Sequence, residues 1–220
     1  SGAELRKLPA GLRVDGDLVL RGSRLRRLPK GLRVGGDLDL TDAWIEALPA
    51  NLRVGGDLVL VGTHVKALPK GLRVGGRLDL RTTPIRSLPK GLQVGGDLDL
   101  AATGVTKVPE GTRVGGDLFL NGSHIDSLPK SLRLGGGLDL SATPIARLPE
   151  GLRVETWLNL VGTALTRLPA DLRVGDWLDL RGTLIAELPK RLRVGGTLYL
   201  AGSLVAELPK RLRKEARVQW

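Results

Sequence analysis

The chain has 220 residues, of which 34 are Lys or Arg and 23 are Asp or Glu, giving a formal net charge of +11. It contains no Cys, which excludes a disulfide framework and a cysteine nucleophile. No apolar run reaches the roughly 18 residues that a membrane span needs, and residues 1–20 lack the apolar segment of a signal peptide. A composition that is 41% hydrophobic but only 3% aromatic predicts a folded protein with an aliphatic core.

The sequence repeats with a period of 20 residues. We number the columns of this repeat 1 to 20 from Ser1, so that Leu8-Pro9, Leu28-Pro29 and the later equivalent pairs fill columns 8 and 9. Columns 5, 8, 12, 14, 18 and 20 are apolar almost throughout. One 20-residue repeat, which we also call a line, cannot bury six aliphatic side chains alone, whereas stacked repeats can bury them against one another. We therefore predict a single solenoid domain over residues 1–220, built from repeats 1–20, 21–40 and so on to 201–220.

Each line reads as strands separated by turns. Apolar residues two apart, at columns 12 and 14 and again at 18 and 20, are typical of strands. Pro in column 9 and Gly in columns 11, 15 and 16 argue against a helix. Leu-Pro-Lys-Gly predicts a type I turn with Pro at its second position. Glu155-Thr156 and Glu215-Ala216 replace Gly-Gly, which indicates that columns 15 and 16 need little room rather than a positive φ. We expect the Leu-x-Leu segments of columns 18–20 to form one parallel sheet at about 4.8 Å spacing, with extended and turn segments opposite and little or no α-helix.

The stretch Leu78-Asp79-Leu80-Arg81-Thr82-Thr83-Pro84-Ile85 resembles the leucine-rich-repeat family. The short period and the Leu-Pro pair are similar to the bacterial class seen in secreted effectors, which implies a cytoplasmic or exported protein. Some members of that class carry a ubiquitin-ligase domain with a catalytic cysteine, and the absence of Cys argues against that activity here. The family's Asn ladder is Thr or Ser in column 3, where we expect each hydroxyl to bond the backbone of the next coil. The family's first Leu falls on Gly in column 15, so the curvature is left open between an arc and a flatter solenoid.

Columns 17, 19 and 1 point outward from the predicted sheet and carry its variable residues. Exposed Trp and Tyr are typical anchors of interfaces, and aromatic residues cluster in the later lines. We interpret this region as a partner-binding patch, and the alternative is cross-strand pairing that only stabilises the sheet. The predicted patch comprises Trp157, Trp177, Tyr199, Phe119, Asn159, Asp139, Asp179 and Arg181.

Ten aspartates, five in each of columns 17 and 19, share the same face. They suit a solvated polar face, an acidic site for a basic partner, or a calcium site, in that order of preference. His64 and His124 stand three lines apart, about 14 Å at the strand spacing, too far to share one metal. No nucleophile–base arrangement or phosphate-binding loop is evident. We therefore predict a non-enzyme without cofactor or metal.

Column 13 is Arg in every line except that of Gln93, and Lys recurs in column 10. This basic stripe predicts binding of an anionic polymer, either nucleic acid or glycan. The alternative is a solvated ladder partly paired with the column 17 aspartates. The column consists of Arg13, Arg33, Arg53, Arg73, Arg113, Arg133, Arg153, Arg173, Arg193 and Arg213.

The first hypothesis is a non-catalytic scaffold that binds a protein partner through the patch. The alternatives are anionic-polymer binding through the arginine column, with nucleic acid less favoured than a protein partner, and a structural or engineered repeat with no natural ligand. No membrane partner is expected. The charged last line, with Trp220 where Leu is usual, predicts a partial cap, and uncapped ends would allow self-association.

Overall fold

The computed structural model describes residues 7–220, except for the side chain of Glu215, and the first six residues of the opening repeat lie outside this range. The Leu-x-Leu segments form an eleven-stranded parallel sheet in chain order, which we call the Leu-x-Leu sheet. This confirms the predicted parallel-sheet solenoid. Its strands are Leu18–Val19, Leu38–Asp39, Leu58–Val59, Leu78–Asp79, Leu98–Asp99, Leu118–Phe119, Leu138–Asp139, Leu158–Asn159, Leu178–Asp179, Thr197–Tyr199 and Arg217–Gln219.

A second set of parallel strands, which we call the arginine ladder, lies at columns 13 and 14 of the same coils. The sequence indicated extended chain here, and the structure adds that these segments also pair, each with the equivalent residues 20 positions on. The ladder has two parts, one of seven strands and one of three. The first part is Arg13–Val14, Arg33–Val34, Arg53–Val54, Arg73–Val74, Gln93–Val94, Arg113–Val114 and Arg133–Leu134, and the second is Arg153–Val154, Arg173–Val174 and Arg193–Val194.

The core is a continuous aliphatic filling enclosed by each coil. In one coil Leu38, Leu40, Ile45 and Leu52 have no exposed area, and Val54 is also buried. The period places these columns directly above their equivalents in the next coil, so each Leu packs on other aliphatic side chains throughout the solenoid.

Two tight turns close each coil. The N–H of Leu32 donates to the carbonyl oxygen of Pro29 at 3.3 Å, and Gly31 between them has φ of 76°. A positive φ at the third position characterises a type II turn. The predicted type I turn with Pro second was therefore wrong, because Pro is the first residue of the turn and the glycine is needed at the third. The second turn is similar: Ser23 N–H donates to Leu20, and column 2 has positive φ.

The column 3 hydroxyls bond within their own turn. The Oγ1 of Thr63 donates to the carbonyl of Leu60 at 2.7 Å, and five further threonines of the column repeat this bond. The predicted bond to the next coil was wrong, since the tight turn brings the carbonyl three residues earlier within reach. Ser23, Ser123 and Ser203 leave their buried hydroxyls without a partner among the described residues.

The arginine ladder depends on glycine in column 15. A Cβ added at Gly115 would lie 1.9 Å from the carbonyl oxygen of Gly95, and the other column 15 glycines that precede Glu155 are equally crowded. Within residues 7–220 the positive-φ glycines lie in columns 2 and 11, so close approach of neighbouring coils explains column 15. At Glu155 a side chain fills this column, and the ladder is interrupted between Arg133–Leu134 and Arg153–Val154.

The last coil departs from the others. A single-turn helix, Leu212–Glu215, precedes the final strand, Arg217–Gln219, which pairs with Thr197–Tyr199. Leu212 is buried, whereas Trp220 is 62% exposed, and the partial cap stays a prediction. No helix in the described part of the chain has the length and apolarity to cross a membrane.

Candidate functional site

Four aromatic rings form a continuous row on the outward face of the Leu-x-Leu sheet. Phe119 and Trp157 have ring centroids 5.8 Å apart, and Trp157 stacks on Trp177 at 5.1 Å with an interplanar angle of 11°. Trp177 meets Tyr199 edge to face at 6.4 Å. All four rings are partly exposed. We call them the aromatic row; it spans the strands from Leu118–Phe119 to Thr197–Tyr199.

Gly137 creates the space in which Trp157 lies. A Cβ at Gly137 would come within 2.2 Å of the Trp157 indole, so the ring covers the bare backbone of the preceding coil. Column 17 is most often Asp, and Gly appears in it once, in the line before the first Trp. Sequence reasoning did not include Gly137 in the patch, although this coincidence was the signal for it.

Arg181 extends the aromatic row with a fixed positive charge. Its guanidinium carbon lies 5.5 Å from the centre of the Tyr199 ring. The same guanidinium donates to both carboxylate oxygens of Asp179, with Nη2 to Oδ2 at 2.7 Å. Hydrogen bonding to Asp179, together with its negative charge, raises the pKa of Arg181. The cation is therefore held in one orientation beside the rings.

The polar residues predicted around the patch have a structural task as well. Asp139, Asn159 and Asp179 each accept, through Oδ1, the backbone N–H of the residue two positions later, at 2.9 to 3.1 Å. This Asx arrangement begins the turn that follows the strand. The structure thus brings these residues beside the aromatic row, with one oxygen of each already bonded to the backbone.

The column 17 aspartates form a backbone ladder of their own. Asp17 accepts the N–H of Asp37 at 2.8 Å, and Asp37 accepts that of Asp57 at 2.7 Å. The same bond runs from Arg77 to Asp57 and from Asp117 to Asp97. These carboxylates hold neighbouring coils together, which is a role that none of the three interpretations of the aspartates had included.

Arginines on the sheet face neutralise the buried column 19 carboxylates of the early coils. Arg81 forms a bidentate ion pair with Asp79, with Nη2 to Oδ2 at 2.8 Å, and Arg77 forms an ion pair with Asp99. The described residues contain no group of three His, Cys, Asp or Glu side chains suited to a metal ion. The column 19 carboxylates accept hydrogen bonds from backbone N–H groups, from guanidinium groups and, at Asp39, from the hydroxyl of Thr41.

Asp39 and Asp99 titrate in opposite directions despite equivalent positions. Burial opposes ionisation of Asp39, but hydrogen bonds from Thr41 and Arg21 outweigh it and lower the pKa of Asp39. Burial and the neighbouring Asp79 carboxylate raise the pKa of Asp99, against the backbone N–H of Ala101 and the two nearby arginines. Equivalent positions in two coils therefore favour opposite protonation states of the carboxyl group, relative to its ordinary pKa.

The arginine ladder lies on a different face and lines two grooves. The first, of about 640 Å³, is bordered by Arg73, Gln93, Arg113 and Arg133 and floored by Gly and Val of columns 14 and 15. The second, of about 500 Å³, is bordered by the arginines of the shorter part of the ladder. Every arginine of column 13 is exposed. Pairing with the column 17 aspartates, the alternative raised from sequence, is absent among the described residues.

Comparison with known proteins places the fold. Neither a family model nor a curated protein matches the sequence. Among solved structures, the chain is similar to YopM, a leucine-rich effector protein from Yersinia pestis, with a TM-score of 0.54 and 18% identity over 88% of this chain. It spans 63% of the YopM chain. This is a leucine-rich-repeat fold.

A leucine-rich-repeat protein from Leptospira interrogans also matches, with a TM-score of 0.41, 18% identity, and coverage of 90% of this chain and 76% of that one.

Column 4 gives this chain a further exposed aromatic residue, Trp44, with the guanidinium of Arg24 at 5.7 Å from its ring. Trp44 lies outside the aromatic row.

Proposed function

We propose that this leucine-rich-repeat solenoid is a non-catalytic scaffold that recognises a protein partner through the aromatic row and Arg181. The single observation that carries the proposal is the unbroken contact series from Phe119 through Trp157 and Trp177 to Tyr199. Large aromatic side chains and Arg dominate the binding energy of protein interfaces. The partner would present apolar groups to the rings and an acceptor to Arg181.

The rigidity of the row supports this role. Each ring contacts another ring, and Arg181 is fixed by Asp179. Side chains that are ordered before binding lose little conformational freedom when the partner arrives. The Asx bonds of Asp139, Asn159 and Asp179 fix the turns beside the rings in the same way.

The test compares Trp157→Ala/Trp177→Ala with Trp44→Ala, which removes an exposed indole that lies in column 4, outside the aromatic row. The wild-type protein and both variants are immobilised, and the partner proteins that each of them captures are compared by quantitative mass spectrometry. A protein held by wild type and by Trp44→Ala, but lost from the double variant, is then purified and titrated. We expect its Kd to rise at least about 30-fold, which corresponds to roughly 2 kcal/mol, the loss typical of a central anchor.

A second variant separates binding from folding. Trp157→Asp/Trp177→Asp introduces the residue that column 17 most often holds, so it restores a side chain that the solenoid accommodates elsewhere. It should fold and fail to bind. If both double variants keep full affinity, the recognition role is refuted. If both unfold, the row serves sheet stability and the recognition role is refuted as well.

A further inference from the structure

The arginine ladder holds a row of guanidinium groups in register, and those from Arg13 to Arg193 have no partner among the described residues. Its strands pair in register, so Arg33, Arg53 and Arg73 follow one another at the strand spacing of about 4.8 Å. Within residues 7–220, the guanidinium groups of the column 13 arginines from Arg13 to Arg193 make no hydrogen bond or ion pair, although the backbone N–H groups of several of them bond the preceding coil. Arg213, in the last coil, donates to the carbonyl of Leu208.

The sheet-face arginines differ in this respect. Arg21, Arg77, Arg81 and Arg181 are all bonded to aspartates. Stacked guanidinium groups of like charge repel one another, and among the described residues no acidic side chain forms an ion pair with a guanidinium of the ladder. A row of cations kept together without counter-charges favours an anionic ligand that lies along it.

The groove beside the row suits an elongated ligand. Column 15 is glycine in the coils of the first groove, and its Cβ-less backbone is exposed, while Val of column 14 turns inward. A chain can therefore approach the backbone closely with guanidinium groups along one side. Guanidinium groups bind sulfate and carboxylate through paired N–H donors.

Two features argue against nucleic acid. Bases of single strands stack on aromatic rings, and all six aromatic residues lie outside columns 13 to 15. The phosphates of a duplex wind around its axis once in about 34 Å, so guanidinium groups in register on one face of the solenoid would meet only a short stretch of each strand. We propose that the arginine ladder binds an anionic polysaccharide, whose sulfate or carboxylate groups lie along the first groove.

The experiment titrates a labelled heparin oligosaccharide, with single- and double-stranded oligonucleotides of similar length, at low and at physiological salt. The test variant is Arg73→Gln/Arg113→Gln/Arg133→Gln. Gln93 already occupies the same register of the ladder, so Gln fits there. The matched control is Lys70→Gln/Lys90→Gln/Lys130→Gln, which removes the same three charges from exposed residues of column 10.

We expect heparin to bind wild type at physiological salt, more tightly than either oligonucleotide, and to weaken at least 10-fold in the arginine variant. The lysine variant should weaken by less than 3-fold. Equal weakening in both variants, stronger binding of an oligonucleotide, or no heparin binding at physiological salt would overturn the proposal. Trp157→Ala/Trp177→Ala should bind heparin normally, so this result is independent of the proposed protein partner.

Discussion

The Leu-x-Leu sheet and the arginine ladder are built from the same coils but treat their charges in opposite ways. On the sheet face, Asp39, Asp79, Asp99 and Asp179 are buried and bonded to arginine or to backbone N–H groups. In the ladder, the described arginines project into solvent without a partner, apart from Arg213. Charges that are paired internally stabilise the solenoid, and those left unpaired are available to a ligand. The following substitutions test this distinction.

The largest effect is expected in the floor of the ladder. Gly115→Ala places a methyl group about 2 Å from the Gly95 carbonyl oxygen, so neighbouring coils must separate. We expect a loss of about 3 kcal/mol, the upper range for overpacking. Thermal and urea unfolding would measure it. Gly16→Ala is the control, because no atom lies within 4 Å of its added Cβ and its φ is not positive. Equal losses in the two variants would show that crowding is not the cause.

The same change of side chain should act differently on the two faces. Arg81→Gln leaves the buried Asp79 carboxylate without its paired donors and should cost roughly 1 to 3 kcal/mol. Arg113→Gln removes a guanidinium that has no partner and lessens the repulsion within the ladder, so stability should be unchanged or slightly higher. Urea unfolding at low salt measures both. A comparable loss from Arg113→Gln would contradict the contrast between the faces.

Asp39 and Asp99, whose pKa values are shifted in opposite directions, offer a test of how stability depends on pH. A lowered pKa means that Asp39 stabilises the fold when ionised, and this stability is lost as the pH falls through its folded value, below 3.8. A raised pKa means that Asp99 stabilises the fold when protonated. This stability is present in acid and is lost as the pH rises through the pKa of Asp99 in the folded protein, which lies above 3.8. At pH 7, Asp39→Asn should lower the Tm by about 2 to 4 °C, equivalent to about 1 kcal/mol, whereas Asp99→Asn should not lower it. The Tm of both variants is measured between pH 3 and 7. If the two substitutions change the Tm in the same direction throughout this range, the assignment of opposite pKa shifts to Asp39 and Asp99 is refuted.

The smallest effect concerns a turn on the sheet side. Ala102 has φ of 55°, where a Cβ is unfavourable, and its neighbour Ala101 does not have positive φ. Ala102→Gly should therefore stabilise the fold by up to about 1 kcal/mol, while Ala101→Gly should destabilise it by about 0.5 to 1 kcal/mol. The pair is measured by thermal unfolding. Parallel shifts in the two variants would mean that flexibility of the unfolded chain, rather than the turn, governs the result.

Much of the candidate site followed from the repeat alone. The outward columns identified Trp157, Trp177, Tyr199 and Phe119, because strand alternation fixes which residues leave the core. Their mutual contacts depended on Gly137, whose importance appears only when the next coil is placed over it. Turn type was missed for a related reason: the sign of φ is set by how the coil closes, and a sequence of Pro, Lys and Gly fits more than one turn.

The sequence by itself determined the period, the aliphatic columns and the parallel Leu-x-Leu sheet, since identical lines can bury their apolar residues only by stacking in register. Only the tertiary structure decided which charges are paired. Arg21 reaches Asp39 across 18 residues and Arg77 reaches Asp99 across 22, through a neighbouring coil. Such contacts depend on where a long side chain turns after it leaves the backbone, and the repeat does not specify that. The tertiary structure also decided the pairing within the arginine ladder, because its strands come together where the glycine backbones of neighbouring coils approach closely.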